Sequence, residues 1–156
     1  MNDLLLMDAV NLKIYDDEGK LITEITHNTK SVLHLGNQKF GFNNALLNLE
    51  LLKLFGNSEE VEIKSDFEKA LDNKTVIKFK AKQGNTSTYK IIANGILYST
   101  ESSMISHKFD LVIYRARVAE GARIDFEVAT PYEPSFMFKL YEDGEGNYVD
   151  LVLDEV

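Results

Sequence analysis

The residues of this chain whose types could do chemistry are three histidines, one acidic loop and two groups of basic side chains. His27, His34 and His107 are scattered. No two stand at i, i+4 on a helix and no HExxH spacing occurs, so each reads as a surface or strand-edge histidine. Glu142-Asp143-Gly144-Glu145-Gly146-Asn147, followed by Asp150, gathers oxygen donors of the kind Ca²⁺ prefers. The EF-hand spacing is not met, because no glutamate stands at the twelfth place. An acidic, Gly-rich hairpin turn accounts for the same composition through backbone conformation alone. No GxSxG elbow offers a serine nucleophile, and neither GxGxxG nor GxxxxGK[ST] offers a phosphate cradle. No catalytic, cofactor-binding or metal-ligating residue is nominated, and a non-enzymatic role is the expectation.

The basic groups read differently. Lys74, Lys78, Lys80 and Lys82 fall near one face of a single strand, without the interleaved aromatics that base stacking needs. They fit solubilising lysines on an edge strand. Arg115, Arg117 and Arg123 flank a turn at Glu120-Gly121. With Asp125 and Glu127 nearby, they could pair across a subunit contact or sit on a solvated hairpin tip. Both readings stay open at this point.

Composition bounds what these residues can belong to. The chain has 156 residues and a net charge of −8, with no Cys, no Trp and two Pro. That length suits one domain with a sizeable core, and a single β domain over 1–156 is the simple reading. Hydrophobic residues make up 44%, too many for a disordered chain. Without Cys, a disulfide scaffold, a zinc-thiolate site and a thiol nucleophile are excluded. The acidic balance argues against tight binding to nucleic-acid phosphates. The opening apolar run, Leu4-Leu5-Leu6-Met7, is too short for a signal-peptide core, and no stretch approaches the roughly 18 apolar residues of a membrane span. Synthesis in a reducing cytosol and no membrane partner are expected.

The elements that must position these residues are mostly strands. Ala9–Tyr15 alternates, Asp16-Asp17-Glu18-Gly19 turns, and Lys20–Thr26 alternates again, which predicts a hairpin. Lys30–Leu35 reads as a third strand and Gly36–Lys39 as a break. Asn43-Asn44 can cap a helix that Gly56 closes. Seven of the eleven residues from Ala45 to Phe55 are Leu or Phe, predicting one largely buried helix over about 44–55. Beyond it, Val61–Lys64, Thr75–Lys82, Tyr89–Thr100, Phe109–Val118, Ala122–Ala129, Phe136–Tyr141 and Tyr148–Leu153 read as strands, with Gly95 a candidate bulge. Asp66–Leu71 is ambiguous: Phe67, Ala70 and Leu71 fit one helical turn, which Asp72-Asn73-Lys74 ends quickly. About nine strands with short turns imply antiparallel pairing, closed or stacked into a barrel or sandwich with one flanking helix.

This order of elements resembles the tail tube proteins of tailed bacteriophages and the related tube proteins of contractile injection systems. The similar stretches are Asp8–Leu21, the pair Phe109–Val118 and Ala122–Ala129, and the closing segments Phe136–Tyr141 and Tyr148–Leu153. The resemblance covers most of the chain and rests on no invariant motif. It implies a viral structural protein that assembles with itself as stacked hexameric rings, a hollow conduit through which DNA passes without specific binding. It also implies other phage tail proteins as partners, assembly in the host bacterial cytoplasm and residence in the virion tail. Leu46, Leu49, Arg115, Arg117 and Arg123 are then the candidate subunit-interface residues. An acidic lumen would repel phosphates, which suits the charge of −8. Other virion roles (tail terminator, head decoration), a carbohydrate-binding or adhesion-type β-sandwich, and a β-barrel carrier or enzyme stand as alternatives.

Overall fold

Apolar residues on alternate positions bury one face of most of the described strands, and most of these strands join into one large antiparallel sheet. The computed structural model describes residues 4–26, 28–44, 49–55, 57–59, 65–70, 74, 76–78, 87–99, 101, 104–119 and 135–155. In chain order they form β1 (Leu4–Asp16), β2 (Leu21–Ile25), β3 (Asn28–His34), β4 (Lys39–Asn44), α1 (Leu49–Phe55), β5 (Asn57–Glu59), α2 (Asp66–Lys69), β6 (Val76–Lys78), β7 (Tyr89–Ser99), β8 (Ile105–Val118), β9 (Ser135–Leu140) and β10 (Val149–Glu155). The main sheet runs β2-β1-β7-β8-β9-β4-β3, with β10 also paired to β8, while β5 and β6 form a small ladder of their own.

β8 organises this sheet. One edge pairs with β7 along most of its length. The other edge is shared: β9 takes Ala116–Val118 and β10 takes His107–Ile113. β9 and β10 therefore lie end to end along β8, separated by the loop 141–148. β9 then carries the sheet onward to β4.

The two ends of the sheet lie close together. β2 ends at Ile25 and β3 begins at Asn28, so only residues 26 and 27 separate the end strands. Three Cα–Cα steps span at most about 11 Å, which forces the sheet to curl. Cα atoms of β3 come within 8 Å of β1. Among the described residues no ladder joins β2 to β3, so the curled sheet is open.

The concave face holds the core. Leu12, Ile14, Ile25, Phe40, Phe42, Ile91, Ile113, Phe136, Phe138 and Leu140 are all buried there. Leu51, Leu52 and Leu54 of α1 belong to the same cluster. A helix of 7 residues has no independent stability in water, so packing must hold it.

The predicted strands in 9–15, 20–26, 30–35, 89–100, 109–118, 136–141 and 148–153 all correspond to observed ones, and an irregularity does fall at Gly95, though Gly95 is not itself the bulged residue. The extra residues sit on the partner strand, where register shifts in β1 flank the Ala9–Gly95 pair. The ambiguous segment 66–71 contains the short helix α2, whose N-cap Ser65 accepts from the Glu68 N–H at 3.4 Å. One expectation is corrected. Asn43-Asn44 are not a helix cap: Lys39–Asn44 is strand β4, with Asn43 opposite both Lys30 and Ser135. The described helix is Leu49–Phe55. Short asparagine-rich segments suit caps and strand ends alike, and here pairing with β3 and β9 decides. The strands expected at 61–64 and 122–129, and Lys80 and Lys82 of the strand 75–82, lie outside the described residues.

The first hairpin shows how local chemistry sets register. Asp16 Oδ1 accepts from the backbone N–H of Glu18 at 3.1 Å and of Lys20 at 2.8 Å. Gly19 adopts φ +88°, which other residues take up only with strain. Asp16→Ala should therefore cost about 1 kcal/mol, read as a fall in the urea midpoint with an unchanged slope.

Candidate functional site

Residues directly opposite in an antiparallel ladder share a face, so register assembles side chains that the sequence keeps far apart. Arg117 of β8 lies opposite Lys139 of β9. Lys139 lies opposite Lys39 of β4, and Lys39 opposite His34 of β3. Their chain neighbours Ala116, Val118, Phe138, Leu140 and Phe40 are buried, so the row stands on the convex face. Adjacent positions are about 5 Å apart, which makes the row about 15 Å long.

A bulge widens this basic surface. β7 supplies only Lys90 between the pairs Tyr89–Ala116 and Ile91–Ile113, where β8 supplies Tyr114 and Arg115. Those four flanking residues are buried, so Lys90 and Arg115 project outward beside the row. Tyr141 holds two of the cations: the Arg117 guanidinium lies 5.0 Å and the Lys139 ammonium 5.4 Å from its ring centroid. Arg115 Nη1 donates to the Glu142 carbonyl at 3.3 Å. The Arg117 Nε–H is buried and has no acceptor among the described residues. Nor, among those residues, does a carboxylate reach Arg115, Arg117, Lys39 or Lys139 within 4.0 Å; the ion pairs seen there are Lys53–Glu50 and Lys69–Asp66.

The opposite end of β8 carries a second surface. Along the concave face, Leu12, Ala93, Leu111 and Leu151 are cross-strand neighbours, and so are Gly95, Phe109 and Leu153. Exposure rises along the first row from 0% at Leu12 to 56% at Leu151, and Leu153 is 50% exposed. Val152, on the other face, is equally open to solvent. Among the described residues β10 pairs with β8 alone, which leaves its outer backbone edge unpaired. Asp150 and Asp154 flank Val152 on the convex face, the first accepting from the Tyr114 hydroxyl at 2.6 Å. That hydrogen bond, ahead of weaker effects, raises the Tyr114 pKa.

A raised phenol pKa means that the neutral form is favoured in the folded protein. The contribution to stability is then present below the ordinary tyrosine value of about 10 and is lost as pH climbs through the folded value. Tyr114→Phe should lose less stability than the wild type between about pH 9 and 12, measured by urea unfolding across that range.

The acidic loop has a backbone role. Asp143 Oδ1 accepts from the N–H of Glu145 at 2.8 Å and of Asn147 at 3.2 Å. The Glu145 N–H contributes most to holding the Asp143 pKa below the usual carboxylate range. Among the described residues, no three His, Cys, Asp or Glu side chains are grouped to hold a metal ion.

Of the residues nominated from sequence, Arg115 and Arg117 come together on the convex face, and Leu49 opens α1 with its side chain exposed. Leu46 and Arg123 lie outside the described residues. Sequence alone does not nominate Lys39, Lys139 and His34, because only the pairing of β4 with β3 and β9 brings them beside Arg117. Among the described residues no helix is long and apolar enough to cross a membrane. Compared with known proteins, the chain matches no family model and no curated protein.

Proposed function

We propose that this chain is a self-assembling structural subunit, of the kind that stacks in hexameric rings as a phage tail tube. The observation that carries the reading is β10. An edge strand with an unpaired backbone and three consecutive half-exposed apolar residues is a template for pairing with another chain. Monomeric proteins blunt such edges with charged side chains, Pro or bulges; β10 has neither Pro nor bulge, and its charges at Asp150, Asp154 and Glu155 leave the run Leu151-Val152-Leu153 uninterrupted. The curled sheet, with end strands two residues apart, supports a barrel-like closure of the protomer. In that reading DNA passes through the assembled tube without specific binding, other tail proteins cap it, and the surplus of carboxylates repels phosphates.

Sedimentation velocity and negative-stain electron microscopy from about 1 μM to 1 mM test this. Concentration-dependent rings or stacks are expected. Monomers at every concentration, at both low and high salt, would sink it. The binding-module alternative needs an exposed planar row of tyrosines, whereas Tyr114 and Tyr141 are partly buried, each engaged by a neighbouring side chain.

A further inference from the structure

The basic row breaks a rule of sheet stability. Like charges directly opposite in a ladder are destabilising, and here Arg117, Lys139 and Lys39 stand side by side across three strands. They do so in a protein whose formal charge is −8, where acidic neighbours would have been easy to supply. Tyr141 offsets part of this repulsion, but among the described residues no carboxylate neutralises it. Local conflicts of this kind concentrate at sites shaped for a partner.

We infer that the row Arg117–Lys139–Lys39–His34 of one copy receives the acidic edge strand β10 of another. The inference rests on the self-assembly reading and names its contact. Its convex face selects β10: Asp150 and Asp154 stand there on either side of Val152, an apolar residue that is 50% exposed. The acidic turns at Asp17-Glu18 and Glu142–Glu145 carry no exposed apolar residue between their carboxylates. α2 spans only four residues. A symmetric β10–β10 pairing is disfavoured, since the register that overlaps the whole strand is centred on Val152 and sets Asp150 against Asp154 twice. Within one copy the two surfaces cannot meet. Arg117 and Val112, the partner of Asp150, are five residues apart on β8, about 17 Å. Each copy thus carries one acidic and one basic surface toward opposite ends of its longest strand. A head-to-tail contact between them propagates, and a ring needs such a contact.

Charge exchange tests this. Lys39→Glu with Lys139→Glu makes the row acidic, and Asp150→Lys with Asp154→Lys makes the edge basic. Each variant alone should raise the concentration for assembly at least about tenfold, and a 1:1 mixture should restore it to within about twofold of wild type. Thermal melting checks that both variants fold. Asp154→Lys alone, which keeps the Tyr114–Asp150 bond, replaces the double variant if that one does not fold. Reversing Lys69, which belongs to neither surface, should leave assembly unchanged. Wild-type assembly that neither variant alters, a mixture that fails to restore it, or association that stops at a dimer overturns the inference and leaves self-assembly standing. A wild type that stays monomeric overturns both. A monomer that binds labelled oligothymidylate, with loss in Lys39→Glu/Lys139→Glu, assigns the row to phosphodiesters and also overturns it.

Discussion

Phe138→Ala should cost about 3–5 kcal/mol and lower the melting temperature by roughly 6–20 °C. Phe138 is 0% exposed and sits opposite both Val118 of β8 and Phe40 of β4. Its ring stacks with Phe42 at 6.2 Å and meets Tyr89 edge-on at 6.5 Å. Truncation removes the transfer energy of the ring and leaves a cavity that rigid neighbours on three strands cannot fill. The position matters beyond its area, because β9 joins the β1-β7-β8 half of the sheet to the β4-β3 half. A total stability of about 5–15 kcal/mol leaves little reserve after such a loss. Urea unfolding at 25 °C measures it, with Phe138→Leu expected to recover part of the deficit. A cost below about 1.5 kcal/mol would mean that the β9 ring does not belong to the core.

How much of this is legible in the sequence differs by element. Alternation in 9–15 and 136–141 reveals both the strand and its buried face, because period-2 patterning is local and Leu12, Ile14, Phe136, Phe138 and Leu140 obey it. At β10 alternation locates the strand but not its surroundings. Leu151 and Leu153 follow the apolar pattern of a core face, yet each is at least half exposed, because burial depends on what lies across the sheet. β4 resembles a break and a helix cap because Gly41 and two asparagines weaken any strand signal. What makes it a strand is pairing: Phe40 meets Leu33 of β3 on one side and Phe138 of β9 on the other. The second partner is remote in sequence, so no local window contains it. The basic row is illegible for the same reason. Arg117 groups with Arg115 as a near neighbour along the chain, whereas Lys39 and His34 join them only through two further ladders.

α1 offers the second large effect, and it separates packing from assembly on one short helix. Leu51→Ala should cost about 2–5 kcal/mol, while Leu49→Ala should change stability by less than about 0.5 kcal/mol. Leu51 is 0% exposed inside the core cluster, and Leu49 is 56% exposed two residues earlier. The helix has only 7 residues, so its own hydrogen bonds cannot sustain it and its buried leucines must. Truncating Leu51 therefore loosens both the helix and the concave face it covers. Leu49 makes no such contribution, yet its exposed side chain is the kind that a second copy covers. If α1 takes part in the subunit contact, Leu49→Ala leaves the urea midpoint in place and raises the concentration at which assembly begins. Equal destabilisation by the two variants would mean that α1 buries a different face, and Leu49 would then lose its standing as an interface residue.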